Sequence, residues 1–138
     1  MNSKHKTHLK ILLIDDDDYL SDMYLLKFQE EGHNVHSVQS AGEALALLES
    51  GERFDIIMLD LVMPGVDGFE FLSDARGRGL LDNIPVIVLT NQSREQDIEK
   101  AKALGACGYI VKASSIPSEI VKITFETYAG APEMVIKR

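Results

Sequence analysis

The sequence predicts an α/β protein with one parallel sheet covered by helices on both faces. Short continuous apolar runs recur along the chain, and amphipathic stretches with helix start and stop signals lie between them. The resulting βα unit repeats five times, and such alternation needs right-handed crossovers above and below a parallel sheet.

The strands are read from Ile11-Leu12-Leu13-Ile14, the weaker stretch Val35 to Val38, Ile56-Ile57-Met58-Leu59, Val86-Ile87-Val88-Leu89 and Tyr109-Ile110-Val111. Runs this short and rich in β-branched residues suit strands buried on both faces. The first helix is expected to bury Leu20, Met23 and Leu26, with Gly32 as its stop. Ser40 and Glu43 form a capping box ahead of Ala44, Leu45 and Leu48, and Gly51 ends that helix. Phe69, Phe71 and Leu72 begin the third helix, and Gly77-Arg78-Gly79 breaks the chain after it. Ser93 and Gln96 read as a second capping box before Ile98, Ala101 and Leu104. Pro117 suits the first turn of a last helix carrying Ile120, Val121, Ile123 and Phe125.

At 138 residues the chain is the size of one domain and long enough to bury its own core. Lys and Arg total 14 against 22 Asp and Glu, a net charge of −8, which argues against non-specific binding to nucleic acid or anionic lipid. The single cysteine, Cys107, excludes an intrachain disulfide and a cysteine-based zinc site. No apolar run reaches the ~18 residues of a membrane span. Met1 to Lys10 is basic but lacks the apolar centre of a secretory signal. The expectation is a cytoplasmic domain over residues 9–128, with a flexible basic tail over 1–8 and a short tail over 129–138.

Open parallel sheets bind ligands beyond the carboxyl ends of their strands. The first strand is followed there by Asp15 to Asp18, the third by Asp60, the fourth by Thr90 and the fifth by Lys112. Taken singly, these residues suit caps, turns and surface charges. Together they place acidic groups, a hydroxyl and an ammonium at one edge. Clustered carboxylates repel one another unless a cation is present. A hard divalent ion with oxygen ligands resolves that, and Mg²⁺ suits phosphoryl chemistry. His33 and His36 do not share a helix face and are not read as a metal site.

In this order and at domain-like spacing, the stretches Ile11–Asp16, Asp55–Gly68, Val86–Thr90 and Gly108–Lys112 resemble the receiver domain of two-component response regulators, chemotaxis regulators included. The resemblance covers about residues 9 to 128. It implies a flavodoxin-like doubly wound (βα)5 fold with strand order 2-1-3-4-5. It implies that Asp60 is the phosphoacceptor, that Asp15 and Asp16 are acidic ligands of Mg²⁺ beside Asp60, and that the Val62 carbonyl is a further ligand. Lys112 and Thr90 then meet phosphoryl oxygens. Tyr109 is a switch aromatic that swings inward when Thr90 moves, reshaping the face of the fourth helix, fifth strand and fifth helix. The implied partners are a sensor histidine kinase or histidine phosphotransfer protein and a downstream protein target. The expected state is a monomer, and the sequence leaves open whether phosphorylation drives dimerisation.

Three positions depart from the commonest pattern. Ala113 follows Lys112 where proline is usual, which predicts a trans bond or a strained cis one. Cys107 replaces an acidic or small residue and reads as a packed or half-exposed thiol. Val62, two residues after Asp60, has no polar group to orient water, so a phosphorylated state that is not unusually short-lived is expected. Two rival readings stay open. A haloacid-dehalogenase-type phosphohydrolase would use Asp16 as nucleophile and Asp18 as general acid, and an interaction module would never be phosphorylated. Neither the receiver nor the module turns over an external substrate. No output domain is expected after Tyr128.

Overall fold

The structure, a computed structural model, describes residues 7–138. The expected basic tail lies outside the described residues except for Thr7 and His8. Six strands alternate with five helices: β1 (Lys10–Ile14), α1 (Asp18–Glu30), β2 (Asn34–Val38), α2 (Ala41–Glu49), β3 (Ile56–Leu59), α3 (Gly68–Gly77), β4 (Val86–Thr90), α4 (Glu95–Ala103), β5 (Gly108–Val111), α5 (Pro117–Tyr128) and β6 (Val135–Lys137). The strands form one sheet of order β2-β1-β3-β4-β5-β6, and every pairing is parallel. The fold is the flavodoxin-like one expected, with a correction: the sheet has a sixth strand, in the segment read as a tail. Three residues with Glu133 and Met134 before them carry too little pattern to signal a strand. Pairing with β5 makes it one.

Every residue of β3, β4 and β5 is buried, as a sheet covered on both faces requires. Ile11 and Leu13 of β1, with Met58 and Ile87, pack against Tyr24 and Phe28 of α1 and Ile120 of α5. Leu12, Ile14, Ile57 and Leu59 point to the other face, against Ala44 of α2 and Phe71 and Leu72 of α3. Val88, Tyr109 and Val111 pack there against Ile98 and Ala101 of α4.

The first helix is turned relative to expectation. Ser21, Tyr24 and Phe28 are buried, while Met23 is 40% and Leu26 59% exposed. The helix carries two apolar stripes, and periodicity alone cannot choose between them. Its cap is Asp17, whose carboxylate accepts from the Leu20 N–H at 3.1 Å, and Asp18 begins the first turn. Ser40 caps α2 as expected, accepting from the Glu43 N–H. The second predicted box does not form. The cap position of α4 is Arg94, without a side-chain cap bond, and its guanidinium pairs with Asp97 at 3.0 Å.

Candidate functional site

The polar strand ends converge at the carboxyl edge of the sheet. Asp15 follows β1, Asp60 follows β3, Thr90 ends β4 and Lys112 follows β5. These groups sit at the carboxyl edge of the neighbouring strands β1, β3, β4 and β5, and all four are buried. Asp15 is 1% and Asp60 7% exposed, and Lys112 is also buried. The Lys112 ammonium lies 2.6 Å from Asp15 Oδ2 and 3.1 Å from Asp60 Oδ2. Asp16 stands exposed beside them, and oxygens of Asp15, Asp16 and Asp60 lie within 4.8 Å of one another.

One ammonium therefore serves two buried carboxylates, with a third acid alongside. Burial pushes the Lys112 value down, but its bonds to Asp15 and Asp60 outweigh this and leave it raised. Burial raises Asp15, because the shared ammonium and the Asp17 N–H offset desolvation only partly. Such a donor set, all hard oxygen with surplus negative charge, fits a second cation. The residues present can hold a divalent metal.

Local backbone fixes each group. The Asp17 N–H donates to Asp15 Oδ1 at 3.0 Å, and the Val62 N–H donates to Asp60 Oδ1 at 3.3 Å. The Val62 side chain is 56% exposed. Thr90 is buried, and its hydroxyl accepts from the Gln92 N–H at 3.3 Å. Every peptide bond among the described residues is trans, including Lys112–Ala113, and Lys112–Ser114 forms a short 3-10 turn.

Tyr109 faces inward in this structure. Its ring is already fully buried, and its hydroxyl donates to the Gln92 carbonyl at 2.7 Å. Burial, with Asp97 nearby, pushes the phenol up to about 12. The inward ring packs with Val88, Ile98 and Val111, and its hydroxyl is satisfied by the Gln92 carbonyl.

Gly68 has a role that sequence reasoning missed. A Cβ there would lie 2.8 Å from Leu61 Cα and closer still to the Asp60 carbonyl oxygen. Its N–H donates to the Leu61 carbonyl at 2.9 Å, so α3 starts flush against the turn carrying Asp60. The glycine ending the Asp55–Gly68 stretch was the available signal. Cys107 is exposed. His33 is buried and accepts from the Leu9 N–H through Nδ1 at 3.0 Å, a structural role with no metal geometry. Among the described residues no helix is long and apolar enough to cross a membrane.

Comparison with known proteins agrees with this geometry. Residues 11–124 match the family described as the response regulator receiver domain. The chain is 36% identical over 115 residues to the response regulator SaeR of Staphylococcus aureus, covering 83% of this chain and 47% of that protein. It is 36% identical over 102 residues to the transcriptional regulatory protein AfsQ1 of Streptomyces coelicolor, covering 74% of this chain and 44% of that protein. It thus spans less than half the length of these curated relatives. Among solved structures, chemotaxis protein CheY4 of Vibrio cholerae superposes with a TM-score of 0.78 at 30% identity, covering 86% of this chain and 97% of that one. Sequence match, superposition and the acidic strand-end cluster agree, and the chain belongs to the receiver domain family of two-component response regulators.

Proposed function

We propose that Asp60 accepts a phosphoryl group from a phosphohistidine on a sensor histidine kinase or histidine phosphotransfer protein, and that the phosphorylated domain signals in the cytoplasm through the face made by α4, β5 and α5. The observation that carries this reading is the buried Lys112 ammonium shared by Asp15 and Asp60, with Asp16 within reach.

An Asp60 carboxylate oxygen attacks phosphorus as the P–N bond breaks. The imidazole leaves with the bonding electron pair and takes up a proton. Lys112, already on Asp60, meets the charge of one phosphoryl oxygen. Thr90 accepts from Gln92 and so keeps its own proton free to donate to another. Asp15, Asp16, Asp60 and the Val62 carbonyl would hold Mg²⁺, which when bound neutralises charge on the phosphoryl group and aligns it. Tyr19, Met23 and Leu26 of α1 and Ile116 before α5 are all exposed, which offers apolar footing to the phosphodonor protein.

Intact mass after incubation with acetyl phosphate, with and without Mg²⁺, tests the reading. One Mg²⁺-dependent phosphoryl group on the wild type, absent from Asp60→Asn, is expected. A group that survives in Asp60→Asn and is lost in Asp16→Asn would favour the phosphohydrolase instead. Absence of both a phosphoryl adduct and a beryllofluoride complex would favour the unphosphorylated interaction module.

A further inference from the structure

The sixth strand makes contacts that phosphoryl transfer does not use. Val135 donates its N–H to the Cys107 carbonyl at 3.1 Å, and Ile136 aligns with Tyr109. Two side chains anchor the strand further. Lys137 Nζ donates to the Ser114 carbonyl at 3.0 Å, in the turn that begins with Lys112. Arg138 pairs with Glu95, the first residue of α4, at 2.6 Å. Met134 packs on the cluster of Tyr109, Val111 and Ile98. The segment therefore ties β5, the Lys112 turn and α4 together, and it does so beside the inward Tyr109 ring.

We infer that residues 131–138 form a strap whose docking on the β5 edge and the inward packing of Tyr109 are one coupled equilibrium, through which the strap regulates the Asp60 site. Met134 packs on the cluster that holds the ring. A docked strap therefore favours the inward ring, and an inward ring supplies the surface on which Met134 sits. Ala131, Pro132 and Glu133 are exposed and β6 is only three residues long, so the strap belongs to the least stable part of the sheet, where release is easiest. Thermodynamic linkage then requires that any ligand of Asp60 favouring the inward ring tighten the strap, and that strap release weaken that ligand equally. The regulatory half of this inference rests on the phosphoryl-accepting reading; the strap–tyrosine coupling does not.

The full chain carrying Val135→Pro tests both halves. Proline removes the N–H given to Cys107 at an edge where it leaves the rest of the sheet paired; Val135→Ala keeps it. Amide exchange across β6 reports docking, and the side-chain spectrum of labelled tyrosine, assigned with Tyr109→Phe, reports the ring. Protected β6 amides are expected in the wild type. Val135→Pro should lose that protection and move the Tyr109 signal toward that of exposed tyrosine, while Val135→Ala does neither. Met134→Ser, which leaves the backbone pairing intact, should also move the signal. Unprotected β6 amides in the wild type, or a released strap with an unchanged Tyr109 signal, would overturn the coupling. With Mg²⁺ and beryllofluoride as the probe, the affinity of Val135→Pro should be weaker than that of wild type by about fivefold or more. Equal affinity would overturn the regulatory half. Failure of the probe to bind either protein would refute phosphoryl acceptance and the regulation built on it, while the tyrosine spectrum still decides the coupling.

Discussion

Replacing Gly68 by alanine should damage the site while leaving every charged group in place. The new Cβ would stand 2.8 Å from Leu61 Cα and closer still to the Asp60 carbonyl oxygen, whereas ordinary contact begins at about 3.4 Å, so the turn must retreat by more than about 0.6 Å. Its neighbours are backbone atoms and cannot rotate aside. Overpacking of this kind costs about 1–3 kcal/mol. The retreat also moves Asp60 relative to Lys112, now 3.1 Å away. Since a misplacement of about 1 Å can cost ~100-fold in rate, a loss of about tenfold is expected here. Gly77 at the other end of α3 is the control. A Cβ there meets nothing within 4 Å, and Gly77→Ala should be neutral or stabilising by about 0.5–1 kcal/mol. Urea unfolding gives the stabilities, and the initial rate of phosphorylation by acetyl phosphate gives the chemistry. A Gly68→Ala protein that matched Gly77→Ala in both would refute the close-approach argument.

Other perturbations isolate single features. His33 has its value lowered, chiefly by burial, and its Nδ1 must stay unprotonated to accept from Leu9. The unfolded chain therefore binds this proton more readily, so the stability His33 contributes is present above pH ~6.5 and erodes as pH falls below it. Urea unfolding between pH 7.5 and 5.5 should show that loss, and His33→Gln should show a shallower one. Leu26→Ser should change stability by less than about 0.5 kcal/mol, since the side chain is exposed, and should slow transfer from a histidine phosphodonor protein but not from acetyl phosphate. An equal effect on both donors would place Leu26 in the fold rather than at the docking face. Asp67 caps α3 by accepting from the Glu70 N–H at 2.9 Å, and Asp67→Ala should cost about 1 kcal/mol by thermal or urea unfolding.

What could be read before the structure follows physical scale. The four central strands were legible because burial on both faces demands unbroken apolar runs, as Ile56 to Leu59 shows. The place of the site was legible because a parallel sheet delivers all its strand ends to one edge, which brings Asp15 and Asp60 to Lys112 and sets Thr90 on the same edge. The facing of α1 was not, because Met23 and Leu26 are as apolar as the residues actually buried, and only the neighbouring α5 decides which stripe is covered. Nor was β6, whose strand character is conferred by β5 rather than by Val135, Ile136 and Lys137 themselves. The partner of the Tyr109 hydroxyl is one backbone carbonyl, at Gln92, which no side-chain pattern announces.

The shared ammonium also makes the site a record of assembly. Its two carboxylates follow strands one and three, and its lysine follows the fifth. A chain still emerging from synthesis, or one in which β5 has not yet docked, holds two neighbouring acids with no lysine between them. On the proposed phosphoryl-accepting function, competence arrives only with the last of these three strands, and a half-folded molecule stays silent rather than wrongly active.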